Sequence, residues 1–222
     1  MSRPAQLLNL GSTPYTEGWE LQRAVAAEVL EGSRPDTVIL LEHPPVVTVG
    51  RRTDDGELHV PEGVEVEVVE TNRGGKSTYH GPGQLVCYPI FDLNRHGRDV
   101  KRYCRDLEEA LIRTLAAFGV EGTRIDGLTG VWLTPPPRKI ASIGVHISRW
   151  VTTHGYALNV DLDPAPFTNW ITACGLEDAA FTTVAAELDR PATVDEVRPA
   201  AAAALEEVFD LSLVEGSLLV AG

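Results

Sequence analysis

Apolar and polar positions alternate between two periods along this chain. In 17–32, EGWELQRAVAAEVLEG, apolar residues fall at Trp19, Leu21, Ala24, Val25, Val29 and Leu30, the spacing of an amphipathic helix. DTVILLEH (36–43) is a short continuous apolar run that predicts a buried strand, and Pro44 and Pro45 stop it. VVTVG (46–50) reads as a second strand, VEVEVVE (64–70) as a half-exposed one, and GQLVCYPIFDL (83–93) as another buried strand. The segment 99–120 carries the strongest helical period, with Asp99 as its N-cap. Beyond it, Gly130–Leu133, Lys139–Ile147 and Thr153–Asp161 read as strands separated by a proline-rich loop and a turn. Thr193-Val-Asp-Glu196 is a capping box that opens an alanine-rich helix to about Phe209, and Pro199 should kink that helix or mark its true start. Strands on both sides of a central helix, some in hairpin-like pairs, predict a mixed α/β or α+β sheet flanked by helices.

The chain has 222 residues, enough for one sizeable domain spanning 1–222, and no repeat or low-complexity linker divides it. Its net charge of −13 makes it a poor partner for nucleic acid, whose phosphates call for a basic face. The N-terminal residues have no long apolar core, and no run reaches the roughly 20 apolar residues needed to cross a bilayer. Cys87, Cys104 and Cys174 lie far apart with no C-x-x-C pair, which argues against a zinc site or a disulfide framework. A cytoplasmic protein with no membrane partner, metal or cofactor is the expectation.

Chemistry concentrates in ETNRGGKSTYHGPGQ (70–84). Gly75, Lys76 and Ser77 match the end of a phosphate-binding loop, but its first glycine position holds Glu70. The residues after Ser77, TYHGPGQ, cannot open the helix such a loop needs. A nucleotide site is therefore rejected; what remains is a turn-rich loop whose glycines would allow close backbone approach to a ligand. Cys174 sits in a loop beside Gly175, outside any periodic segment, whereas Cys87 and Cys104 fall in strand and helix patterns and are assigned to packing. A free cysteine is most often a small buried hydrophobe, and a reactive one needs a nearby cation or base. Lys139 opens the apolar strand KIASIGVHI; it reads either as a strand-edge lysine or as that cation. His43, His59 and His96 sit at loop edges and read as solvated, His146 lies in a strand, and His80 and His154 each precede a glycine in a candidate loop.

Taken together, RGGKSTYHGPGQLVCYPI, RKIASIGVHI, HGYALNVDLD, ITACGL and LLEHPPVVTVGRRT resemble the lipoyl(octanoyl) transferases over roughly Leu8 to Phe209. One departure is Ala173, where many members carry proline. The resemblance implies the biotin/lipoate protein ligase type of fold. It implies octanoyl transfer from octanoyl-acyl carrier protein to a specific lysine of lipoyl domains, those of 2-oxo acid dehydrogenase complexes and the glycine cleavage H protein. Cys174 would match the nucleophile and Lys139 the residue that lowers its pKa. Arg73, Gly74, Gly75, Lys76, Ser77, Thr78, Tyr79 and His80, then Ser142, Ile143 and Gly144, then Gly155, Tyr156 and Ala157, would match the acyl-binding segments. Acyl carrier proteins are acidic as a class, so docking would call on a local basic patch of Arg51, Arg52, Arg73, Lys76, Arg138, Lys139 and Arg149. An ATP-dependent lipoate ligase of the same fold, a non-catalytic acyl binder and a Cys-His hydrolase are the competing readings.

Overall fold

The computed structural model describes residues 2–54, 56–171 and 180–217. Its main sheet has the strand order β12-β1-β2-β6-β10-β9-β8-β7. In chain order these strands are β1 (Arg3–Ser12), β2 (Thr37–Glu42), β6 (Gln84–Ile90), β7 (Thr123–Ile125), β8 (Leu128–Leu133), β9 (Arg138–Ser148), β10 (Val151–Asn159) and β12 (Leu211–Glu215), and the two-residue β11 (Ala180–Phe181) pairs with β9. A smaller sheet of β4 (Glu67–Glu70), β3 (Val46–Val49) and β5 (Thr78–His80) stands beside it. The β1–β2, β1–β12, β3–β4 and β9–β11 pairs are parallel, while β6, β8, β9 and β10 are joined antiparallel, so the sheet is mixed as the pattern predicts.

Period-2 alternation splits the side chains of the central strands between two cores. Leu85, Cys87, Tyr156 and Leu158 belong to the core under α2 (Val100–Ala116) and α5 (Val194–Phe209). Val86, Tyr88 and Ala157 belong to the opposite one, shared with Val25 and Val29 of α1 (Tyr15–Glu31). A third cluster, Val47, Tyr79, Leu162, Phe167 and Ile171, joins the small sheet to α3 (Ala165–Asn169). The remaining helix, α4 (Val184–Leu188), is a single short turn after β11.

Several sequence expectations change on the structure. The strand expected over 64–70 keeps only Glu67–Glu70, and β1, the edge strand β12 and the short β5, β7 and β11 carry too little pattern to be read. α5 starts at Val194 and runs through Pro199, so the proline does not mark its start. Only half of the capping box forms. Thr193 Oγ1 accepts from the Glu196 amide at 3.2 Å, but the Glu196 carboxylate turns to Arg190 at 2.8 Å. Replacing Thr193 by Ala should lower stability by about 1 kcal/mol, and Thr193→Ser should restore most of it. Urea denaturation of the three proteins checks this; equal midpoints would mean that the cap contributes nothing.

Candidate active site

A cavity of about 420 Å³ lies between the main sheet, the small sheet and the 73–78 loop. One end is open, where Arg52, Gly127 and Thr129 are exposed; the other is walled by buried Tyr15, His80, Val86, Tyr88, His154 and Ala157. Lys139, Trp132, Ser142, Ile143, Gly144, Gly155 and Tyr156 form its sheet side, and Arg73, Gly74, Gly75, Lys76, Ser77 and Thr78 face them. The structure thus brings the three loop and strand segments together around one space. Tyr79 is the exception. On β5 it points opposite to Thr78 and His80, and its ring packs edge-on against Phe167 at 5.9 Å and Trp170 at 5.4 Å.

The 73–78 loop is not a phosphate cradle, because Thr78 continues into β5 rather than a helix. Arg73, only 6% exposed, holds it from within. Its guanidinium donates to Thr48 Oγ1 at 3.0 and 2.8 Å, to Thr48 O at 2.6 Å, and to the Lys76 and Gly74 carbonyls at 2.6 and 3.2 Å. The Gly74 amide donates to the Val145 carbonyl at 2.9 Å, which clips the loop onto β9. A side chain at Gly144 would stand 2.8 Å from the Gly74 carbonyl, so glycine here serves close approach of backbone to backbone rather than to a ligand.

Lys139 is 3% exposed, so the strand-edge alternative does not hold. It pairs with Trp132 across the β8–β9 register shift, and its Nζ lies 5.2 Å from the Trp132 ring centroid, a cation–π distance. Gly130, with φ +109, makes room for the lysine stem: a Cβ there would stand 2.9 Å from Lys139 Cε. On the other side of β9, Phe181 of β11 pairs with Lys139, and the Thr182 amide donates to the Lys139 carbonyl at 3.0 Å. The Thr182 carbonyl accepts from Asn159 Nδ2 at 3.1 Å, Asn159 Oδ1 accepts from Gln84 Nε2 at 2.9 Å, and Gln84 Oε1 accepts from His80 Nδ1 at 2.7 Å. A buried hydrogen-bond chain therefore links His80 to the backbone of Lys139. Gln84 stands at the end of the loop motif, but its link to Asn159 has no sequence signal beyond a polar residue inside an apolar strand. Cys174 and Ala173 lie outside the described residues.

The histidines overturn part of the sequence reading. His43 is fully buried, donating from Nδ1 to the Thr13 carbonyl and accepting from Tyr88 Oη, both at 2.6 Å. The His96 side chain is 6% exposed and bonds Asp36 at 2.7 Å. Burial pushes His43 down to about 4 and His154 to about 3, and it takes His80 well below the ordinary histidine range, with the nearby His43 adding to it. Burial likewise raises the phenol of Tyr15 to about 12 and that of Tyr88 well above its usual range. At neutral pH the closed end is therefore a set of uncharged imidazoles and phenols, suited to an apolar ligand. Cys104, assigned to packing, also reaches the cavity lining, and burial pushes its thiol up. The expected basic patch shrinks: Arg73 and Lys139 are buried, Lys76 pairs with Asp54 and Glu57, and Arg138 with Glu187. Arg51, Arg52 and Arg149 stay exposed. Among the described residues no group of histidine, cysteine and carboxylate side chains could hold a metal ion, and no helix is long and apolar enough to cross a membrane.

Residues 14–206 match the lipoyl protein ligase A/B catalytic domain, and the chain belongs to that family. It is an acyltransferase of the family. It is 46% identical to an octanoyltransferase of Chloroflexus aggregans over 94% of this chain and 96% of that one. It is also 50% identical to an octanoyltransferase of Mycobacterium tuberculosis, over 90% of this chain and 85% of that one. Its fold matches that of lipoate-protein ligase A bound with ATP, with a TM-score of 0.74 at 16% identity over 99% of this chain and 90% of that one. A bi-partite lipoate protein ligase of Thermoplasma acidophilum gives 0.74 at 17% identity, over 98% and 88%.

The neutral histidines carry a pH signature. Unfolded, each titrates near 6.5, while the folded His43 and His154 resist protonation down to about 4 and about 3. The unfolded chain therefore binds more protons in that window, and stability is lost as pH falls from 6.5 toward 4, by up to about 1.4 kcal/mol per pH unit for each histidine. Urea denaturation at pH 7, 6 and 5 should show this decline, and His43→Gln should flatten it. A pH-independent midpoint would contradict buried neutral imidazoles.

Proposed function

We propose that this chain transfers an octanoyl group from octanoyl-acyl carrier protein to a specific lysine of lipoyl domains, through a thioester on Cys174. Acceptors of this kind are the lipoyl domains of 2-oxo acid dehydrogenase complexes and the glycine cleavage H protein. The observation that carries the reading is a buried lysine, Lys139, in the lining of a cavity whose closed end holds neutral imidazoles and phenols. It is supported by about half identity to octanoyltransferases over most of the chain. β11, the described strand that follows the Cys174 segment, pairs directly with Lys139.

In the first step the Cys174 sulfur bonds to the donor's thioester carbonyl carbon, the carbon–sulfur bond to the carrier breaks, and the carrier's thiol leaves with the proton. In the second, the amine of the acceptor lysine attacks the acyl-cysteine, an amide forms, and the cysteine sulfur is released and reprotonated. This is two-step covalent catalysis, and it needs no nucleotide because the donor is already a thioester. Lys139 acts either as a cation beside the thiolate or as the base toward the incoming amine. His80, positioned through Gln84, offers a neutral imidazole to the cavity, and the acyl tail lies toward Val86, Ala157 and the buried aromatic residues. The acidic carrier docks on Arg51 and Arg52, exposed beside the 73–78 loop.

Intact-protein mass spectrometry after mixing with octanoyl-acyl carrier protein, without ATP, tests the route. Wild type should gain one octanoyl group and Cys174→Ala none; an unmodified wild type would refute the covalent route and favour an ATP-dependent ligase or an acyl binder. Reversing charge at Arg51 and Arg52 to Glu should raise KM for the carrier substrate several-fold with little change in kcat. An unchanged KM would remove these arginines from the docking surface.

A further inference from the structure

Behind the closed end of the cavity lies a second space. This cleft, of about 210 Å³, is lined by Trp19, Arg23, Ala26, Ala27 and Leu30 of α1, by Asn72, and by residues at the β9–β10 turn, including His146, Arg149, Val151 and Thr153. A hydrogen-bonded residue pair bridges the two linings. His154 lines the first and Asn72 the second, and His154 Nε2 donates to Asn72 Oδ1 at 2.7 Å. Trp19, which lines the second cleft, sets its ring 6.0 Å from that of His154.

The wall is a built one. His154 is 2% exposed and has φ +58, the left-handed region that a non-glycine residue enters at a cost of about 1–3 kcal/mol. Such a conformation persists where surrounding contacts over-determine it, and here they do. The His154 amide donates to Gln22 Oε1 of α1 at 2.7 Å, the ring is bonded to Asn72, and β10 continues on both sides in register with β9. α1, the 71–73 segment and β10 thus converge to hold one imidazole between the two linings. Its pairing partner on β9 is Val145, six positions beyond Lys139, so it stands on the order of 20 Å along the strand from the head of the cavity.

We propose that the His154–Asn72 pair is the end-stop of the acyl slot and sets the longest chain this protein accepts. The cleft behind, floored by Trp19, Ala26 and Leu30, would take the tail of a longer chain once the wall is removed. This rests on the acyl-transfer reading above and adds to it the residues that determine chain-length specificity. His154→Gly is the informative variant, because glycine adopts the left-handed backbone without strain and the amide bond to Gln22 is kept. Asn72→Ala releases the imidazole and should shift specificity in the same direction more weakly.

The experiment is a series of acyl-carrier substrates from hexanoyl to tetradecanoyl, read as kcat/KM. Wild type should fall away beyond octanoyl. In His154→Gly the dodecanoyl-to-octanoyl ratio should rise about tenfold or more, the scale on which an apolar pocket discriminates methylenes. Adding Ala26→Leu, which fills the second cleft, should cancel that gain, whereas Ala26→Leu alone should leave octanoyl transfer unchanged. A ratio unmoved in both His154→Gly and Asn72→Ala, with octanoyl transfer retained, would overturn the proposal, as would a gain that Ala26→Leu does not reverse. Absence of transfer from any thioester by wild type would instead refute the acyl-transfer reading, and the end-stop with it.

Discussion

A lysine at 3% exposure is the constraint around which this fold is arranged. An ammonium group taken out of water costs several kcal/mol unless its surroundings compensate, so a buried lysine persists only where the structure holds it. Here the β8–β9 register shift puts the Trp132 ring beside it, the side-chain-free Gly130 admits its stem, and β11 pins its backbone. The chain His80–Gln84–Asn159–Thr182 carries that constraint across three strands to the far wall of the cavity. Moving any member shifts Lys139 relative to the imidazole that faces the same space.

The opposite end of the cavity follows the reverse logic. The imidazoles of His80 and His154 and the phenols of Tyr15 and Tyr88 line it, with His43 buried behind Tyr88, and desolvation keeps the imidazoles neutral, so this end offers shape and apolar contact rather than charge. Arg73 lies within reach of this group, and it donates to Thr48 and to the backbone of its own loop. Its role is to fix the loop that roofs the slot, and the Gly74–Val145 bond ties that roof to the strand carrying Lys139. A polar head region and an uncharged tail region on one strand, β9, suit a thioester with an aliphatic tail.

Much of this was legible in the sequence. Continuous apolar runs gave β2, β6 and β9, the 3.6-residue period gave α1 and α2, and Asp99 caps α2 as its position suggests, accepting from the Arg102 amide at 3.0 Å. Residues of the loop motif line the cavity, and the resemblance named the family. Other features had no local signal. His43 and His96 look like loop histidines, and the burial of their side chains follows from tertiary contacts with Tyr88 and Asp36 that no short window contains. Strands β1 and β12 pair with each other at one sheet edge across nearly the whole chain. Tyr79 falls within the loop motif, but the two-residue period of β5 turns it away from the cavity. The loop glycines were read as space for a ligand, whereas Gly83 makes room for the backbone at Asp161; Gly144 and Gly130, outside that loop, make room for backbone and for Lys139.

The account depends on the buried lysine acting on a reactive thiol at Cys174. The measurement that tests this most directly is the pH dependence of Cys174 alkylation by iodoacetamide, followed by peptide mapping in wild type and Lys139→Met. Wild type should alkylate with an apparent pKa clearly below the ordinary thiol value of about 8.5, and Lys139→Met should move the profile up toward it. Superimposed profiles, with the wild-type thiol titrating as a free cysteine does, would contradict the account.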